Sequence, residues 1–292
     1  MKSWLTEKEA AEYLGMSIQE FRQIDIELPG KDGKGQQLFS IRDLNLWKWS
    51  HEQKNEETNY IIAPNFALAH FRLIQAILLK GIPIPTDYDK VGELPSLDLP
   101  VMIEVTKPWD PPIFSKCVWD SPEGLFTYRD ELLYGIHDHL IENLSYTYHS
   151  RIEDQLDRVK SELHRNPNSR RAQFITWQPE IDLGSKYPPC FQRGWFRVRN
   201  EKLDFHTHWR SRDMLKAWGS NVFAFAHLHK LWADELGISV GIYREFIDSA
   251  HIYGRDLDIA KSFAQRSLDE WSWPLEEIDR LASSKNDTSS SQ

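Results

Sequence analysis

Cysteine is scarce in this chain, with only Cys117 and Cys190 in 292 residues. Two cysteines do not build a disulfide scaffold, so each thiol becomes a candidate for chemistry. No apolar run approaches the roughly 20 residues that a membrane helix needs, so no membrane partner is expected. A basic surplus is missing too: 44 acidic side chains face 35 basic ones, for a formal net charge of -9. General affinity for polyanions rests on basic surface, so any phosphate is expected at a local group of arginines. The first residues show no basic segment followed by an apolar signal core, which points to a cytoplasmic, reducing setting in which a thiol stays free.

What remains is ordinary for a globular chain: 40% hydrophobic and 27% charged residues, in a length that accommodates one large domain and a small one. The twelve tryptophans are expected in the core rather than at a site.

Residues 1–57 read as a small module. Thr6 with Glu9 forms a capping box that opens a helix ended by Gly15, and Ser17 with Glu20 opens a second helix carrying Phe21. Residues 31–37 form a glycine-rich turn, Leu38 and Phe39 a short strand, and Ser40 with Asp43 caps a third helix bearing Leu44 and Trp47. This order resembles the excisionase or MerR-type winged helix-turn-helix. A DNA reader carries a basic footprint, yet the second helix sets Glu20, Asp25 and Glu27 against Arg22. DNA binding and a partner-binding role both stay open for the module.

Residues 51–58 read as a polar linker. Beyond it, helices are expected at 65–80, 125–144, 152–163 and 221–236, and strands at 101–105, 172–177, 195–199, 203–209 and 243–252. Strands and helices mix without regular alternation, which gives an α+β domain over 58–272. Residues 273–292 are low in complexity and read as a disordered tail.

The chemistry concentrates around Cys190. Pro188 and Pro189 precede it, and because each proline fixes its own φ and restricts the residue before it, the cysteine sits on a stiff turn. A thiol so presented becomes a nucleophile where a positive charge favours the thiolate. Around it lie Tyr-Thr-Tyr-His-Ser-Arg from Tyr146, Asn-Pro-Asn-Ser-Arg-Arg-Ala-Gln-Phe from Asn166, Thr-Trp-Gln-Pro-Glu from Thr176, Arg-Ser-Arg-Asp from Arg210, Asn221, and His-Ile-Tyr from His251. In residues, order and intervals the set resembles the thymidylate synthases, the compact archaeal type above all, together with the pyrimidine nucleotide hydroxymethylases.

That resemblance implies a thymidylate synthase-like mixed β-sheet with packed helices, a pyrimidine nucleoside monophosphate as substrate and 5,10-methylenetetrahydrofolate as cofactor. It implies that Cys190 attacks C6 of the pyrimidine, that Arg210 and Ser211 hold the phosphate, and that Arg210 also stabilises the thiolate. It further implies that Arg170 and Arg171 reach the phosphate of a neighbouring subunit, in a homodimer with shared sites. Asn221 reads the pyrimidine edge; its carboxamide favours uracil, although a flipped amide reads cytosine. His251 and Tyr253 hold the sugar 3'-hydroxyl, and Asp213 matches a contact to the folate pterin. Glu131 is the candidate carboxylate for proton transfer near C5, with Tyr148 close to it in the pattern.

Some features depart from the family. Phe191 stands where histidine commonly follows the cysteine, and neither the arginine-bearing phosphate loop, the tryptophan-rich folate segment nor the C-terminal closing residue is recognisable. Cys117 lacks arginine and asparagine partners and reads as an inert thiol. His206, His208, His227 and His229 complete no metal pattern, and no metal is expected. The reading is conversion of dUMP to dTMP, with hydroxymethylation of dUMP, dCMP or CMP as the alternative. A DNA-associated regulator that only senses the nucleotide is a third reading, against which the intact nucleophile argues.

Overall fold

A computed structural model describes residues 4–24, 30–41, 43–44, 47, 59–90, 92–116, 121–140, 146–266, 270 and 272–273. Cys117, the linker at 51–58, most of the expected third helix and nearly all of the expected tail lie outside them. Chain contacts divide the protein into two units, Met1–Thr58 with Lys261–Ser267, and Asn59–Ala260 with Leu268–Gln292.

The smaller unit contains β1 (Trp4–Thr6), α1 (Glu7–Leu14), α2 (Ile18–Phe21), β2 (Gly30–Lys31) and β3 (Gln37–Ser40). Both capping boxes form: Glu9 accepts from the Thr6 N–H at 2.9 Å and Glu20 from the Ser17 N–H at 2.8 Å, each hydroxyl answering in return. Gly15 closes α1 at φ 72°, in the left-handed region that favours glycine. β1 was not expected, because three residues are too few to show an alternating pattern; it pairs antiparallel with β3. Ala10, Ala11, Phe21, Phe39 and Leu44 make the core. Arg22 is bound to Glu7 at 2.8 Å.

The larger unit is a mixed sheet in the order β4-β6-β11-β9-β8-β7, with β5 beside β6 and β10 beside β11. Its elements are β4 (Tyr60–Ala63), α3 (Phe66–Lys80), β5 (Ile82–Ile84), β6 (Ser96–Val105), α4 (Pro122–Tyr134), α5 (Tyr148–Arg165), β7 (Gln173–Ile175), α6 (Pro179–Asp182), β8 (Phe191–Arg199), β9 (Lys202–Trp209), β10 (Arg212–Asp213), α7 (Trp218–Glu235) and β11 (Ser239–Ile252). The α+β expectation holds. Phe174, Phe191, Phe196, Phe205, Trp209, Phe225, Trp232 and Tyr243 are buried together. Phe196 lies between Phe205 at 4.2 Å and Trp232 at 4.5 Å, ring centroid to centroid. Burying a ring of this size contributes roughly 1.5–3 kcal/mol, so this cluster anchors the strands that carry the site.

Several sequence expectations need correction: β8 and β11 each begin four residues earlier than expected, at Phe191 and Ser239. The helix expected at 125–144 ends at Tyr134, where Gly135 adopts φ 63° and its N–H closes on the Glu131 carbonyl; a single 3-10 turn, Asp138–Leu140, follows. The strand expected to begin at residue 101 begins at Ser96, because Pro100 is accommodated where the β6–β11 register shifts between Ile247 and Ala250. Proline is tolerated inside a sheet at such an irregularity, where no ladder N–H is required. β4 was missed altogether, being four residues long.

Candidate active site

The hairpin of β8 and β9 builds the centre of the site. Asn200 and Glu201, at φ 50° and 57°, form its two-residue turn, the backbone that such connections require. From there the register runs from Arg199↔Lys202 to Arg193↔His208, and a bulge between Arg193 and Phe191 shifts it by one residue to Phe191↔Trp209. Cys190, one residue before β8, therefore falls opposite Arg210, one residue after β9, and the Arg210 N–H donates to the Cys190 carbonyl at 3.0 Å.

The Arg210 side chain returns to the proline turn. Its Nε donates to the Pro189 carbonyl at 3.0 Å, its Nη2 to the Pro188 carbonyl at 2.7 Å, and Nη2 stands 3.7 Å from Cys190 Sγ. Burial pushes the Cys190 thiol up, while the charges of Arg210 and then Arg212 pull it down. Tyr148 accepts from the Phe191 N–H at 3.3 Å and so holds the residue after the nucleophile. Phe191 itself is buried, 4.6 Å from Phe225 and 5.0 Å from Trp209. The side chain at this point of departure from the family thus belongs to the core.

Tyr146 was not assigned a role from sequence. Burial and then the charge of Cys190 push its hydroxyl up to about 12, so it stays protonated beside the nucleophile. Arg151 lies over the Tyr146 ring at 5.2 Å and is bound to buried Asp182 at 3.0 Å. The signal for Arg151 was its place in the Tyr-Thr-Tyr-His-Ser-Arg stretch.

Asn221 projects from α7, and its Nδ2 donates to the Tyr128 hydroxyl at 2.6 Å. Tyr128 precedes Glu131 by three residues on α4, so the two share a helix face. Glu131 in turn accepts from His137 Nδ1 at 2.7 Å. Tyr128 carries no role in the sequence reading; its three-residue spacing from Glu131 is the signal available for it.

His251 and Tyr253 close the end of β11, with ring centroids 4.9 Å apart. β10 pairs Asp213 with His251, and Asp213 Oδ1 accepts from the N–H groups of Leu215 and Lys216 at 3.0 and 2.9 Å. Burial and then the Asp213 charge raise Tyr253 to about 12, with Cys190 a smaller contributor. Ser211 is half-buried between Arg210 and β10. Arg212 is fully buried: its guanidinium lies 3.7 Å from the Trp209 ring centre and pairs with Glu245, which also accepts from Trp218 Nε1 at 2.8 Å and the Tyr243 hydroxyl at 2.9 Å.

The structure thus brings together Cys190, Arg210, Ser211 and Tyr148, links Asn221 through Tyr128 to Glu131, and sets Asp213, His251 and Tyr253 on adjoining strand ends. Arg170 and Arg171 stand elsewhere. Both are exposed, Arg171 is bound to Glu162 at 3.0 Å, and the next residue, Ala172, pairs its carbonyl with the Phe196 N–H. Phe196 is five residues along β8 from Phe191, roughly 17 Å at strand rise. Among the described residues the ligand-like cluster is Asp138, His149 and Glu153. There His149 Nδ1 already donates to Asp138 at 2.6 Å.

A family model described as thymidylate synthase matches residues 117–287, more than half of the chain. A protein of Methanosarcina mazei named "Putative thymidylate synthase" is 28% identical over 220 residues, covering 73% of this chain and 98% of its own. A protein of Methanocaldococcus jannaschii with the same name is 32% identical over 223 residues, covering 70% of this chain and 96% of its own. With its cysteine, arginine and asparagine gathered on the strands and helix described above, the chain belongs to the thymidylate synthase family.

Proposed function

We propose that this chain transfers a one-carbon unit to C5 of a pyrimidine nucleoside monophosphate, dUMP by preference, through a covalent adduct of Cys190 at C6. The observation that carries this reading is the Cys190 thiol held 3.7 Å from the Arg210 guanidinium on a proline-stiffened turn. The sulfur electron pair forms the bond to C6, and the C5–C6 π pair moves toward C5 and O4. A poor nucleophile, C5, becomes a good one. Arg210 favours the thiolate, and its Nη1, which makes no hydrogen bond among the described residues, faces the phosphate together with Ser211. Asn221 meets the base edge. Glu131 holds and moves the proton near C5, with His137 fixing its carboxylate. Tyr253 keeps its proton at neutral pH and donates to the sugar hydroxyl beside His251.

Bound 5,10-methylenetetrahydrofolate supplies the one-carbon unit, and its hydride when the product is methyl. The residues fit that cofactor at Asp213, whose Oδ2 accepts no hydrogen bond among the described residues and suits a pterin N–H. Exclusion of water from the exocyclic methylene on C5 favours the methyl product, and admission of water there gives hydroxymethyl.

The reading includes a homodimer. Arg170 and Arg171 are too far along the strand to serve their own Cys190, and the sheet offers a face to a second copy. Tyr60, Met102, Phe246, His208, Arg193 and Ile175 stand opposite one another in register across six strands, all half-buried or exposed. Residues 1–57 are read as a helix-turn-helix unit for a partner. Arg22 is already bound to Glu7, and a gel shift with duplex DNA at low salt tests whether the unit binds.

The deciding experiment is mass spectrometry of products after incubation with dUMP, dCMP or CMP plus methylenetetrahydrofolate. A gain of methyl on dUMP is the expected result, a hydroxymethyl product assigns the alternative, and recovery of all three nucleotides unchanged refutes the proposal.

A further inference from the structure

We infer that Tyr128 is a specificity-determining residue, which locks the Asn221 carboxamide with its amino group toward α4 and thereby selects uracil over cytosine. The inference rests on the proposed reaction, because it takes Asn221 as the group that meets the base.

The argument starts from the amide. A carboxamide presents a donor and an acceptor side by side, and rotating it by half a turn exchanges uracil reading for cytosine reading. Asn221 is only 8% exposed, so solvent does not compensate a wrong orientation. In the structure its Nδ2 donates to the Tyr128 hydroxyl at 2.6 Å, which fixes the amino group on the side of α4. Glu131 lies one turn further along that helix, and in the proposed reaction it serves C5. O4 is the pyrimidine substituent next to C5, so it lies on the same side. An amino group turned toward α4 thus offers its second N–H to O4, and Oδ1 faces N3–H. Cytosine presents an amino group where O4 would be, so donor would meet donor.

The lock requires the phenol to offer a lone pair rather than its proton, because a donating phenol would hold Oδ1 instead. Burial, and then the negative charge of Glu131, hold the Tyr128 hydroxyl well above its ordinary range, so it is a neutral phenol. Its oxygen is the acceptor of the Asn221 N–H in the structure. A network of three residues, Glu131, Tyr128 and Asn221, therefore selects the base, although of the three only Asn221 reads its O4 and N3 edge.

The test is Tyr128→Phe in the full-length chain, which keeps the ring and removes the oxygen. The readouts are the ratio of kcat/KM for dUMP over dCMP and, separately, the ratio of their dissociation constants by calorimetry. The ratio is expected to fall about tenfold, the worth of one hydrogen bond of ~1.4 kcal/mol, mainly through better use of dCMP. A structural defect alone would lower both nucleotides together and leave the ratio unmoved. In an Asn221→Ala background, Tyr128→Phe should leave the ratio unchanged, because the lock then has nothing to hold. If the wild type prefers dCMP, or Tyr128→Phe keeps the dUMP preference within twofold, the inference is wrong. Should the protein bind both nucleotides without turning either over, the proposed reaction fails while the ratio of dissociation constants still decides on Tyr128.

Discussion

Replacing Arg212 by methionine removes one half of an ion pair in which neither partner reaches water: the two side chains are 1% and 0% exposed. Breaking such a pair from one side costs about 3–5 kcal/mol, because the remaining charge stays buried without its partner. Two features of this site act in opposite directions. Arg212 Nε and Nη2 make no hydrogen bond among the described residues, so removing them relieves an existing penalty of order 1 kcal/mol or more. Against that, the stacking of the guanidinium on Trp209 at 3.7 Å is lost, a desolvated cation–π contact of up to about 2 kcal/mol. These roughly cancel, leaving about 3–5 kcal/mol. For a domain of this size that is a fall in Tm of roughly 6–20 °C. The double variant Arg212→Met with Glu245→Gln leaves no charge behind, and the carboxamide oxygen that replaces the Glu245 carboxylate still accepts from Trp218 Nε1, so most of the stability should return. The assay is urea unfolding of both single variants and the double, read as a cycle. If the two single losses simply add in the double, or Arg212→Met costs under ~1 kcal/mol where the buried-pair range predicts more, the pair does not hold this part of the sheet.

Cys190→Ser is expected to abolish turnover while leaving nucleotide affinity within a few-fold, because the thiolate bonds to substrate only along the reaction path; turnover near the wild-type rate would remove the nucleophile from the proposal. Mixing an inactive Arg171→Ala protein with an inactive Cys190→Ser protein should restore activity through hybrid dimers, in which one composite site has both halves intact; a mixture that stays inactive although subunits exchange would refute the shared site. Stability should fall on acidification between pH 6.5 and 4. Burial lowers His70 and His229 to about 4, so in that window the unfolded chain binds protons that the folded one refuses, at about 3 kcal/mol for each histidine once pH reaches the folded value. His229→Gln, which retains a donor for the Leu203 carbonyl, should flatten the slope of urea stability against pH, and an unchanged slope would show that this histidine is not responsible.

Legibility from sequence followed the range of the interactions. The capping boxes at Thr6 and Ser17 are three-residue patterns, and they formed as read. Gly135 is a one-residue signal for a helix end, and it was overridden by the apolar residues on either side of it. β1 and β4 are too short for alternation to register, so only their partner strands reveal them. The site shows the same gradient. Cys190 and Arg210 are twenty residues apart, but a single hairpin joins them, and its tight turn together with the one-residue bulge between Phe191 and Arg193 sets them opposite each other. Tyr128 and Asn221 are separated by 93 positions and meet only because α4 and α7 pack together, which no local pattern encodes. Arg212 was hidden differently. It stands between Arg210 and Asp213 with no role assigned from sequence, and in the structure it is buried on Glu245 while Ser211 and Asp213 on either side stay half-buried. A motif therefore specifies which residues are present in a stretch of chain, whereas the strand's two-residue period decides which of them can touch a substrate.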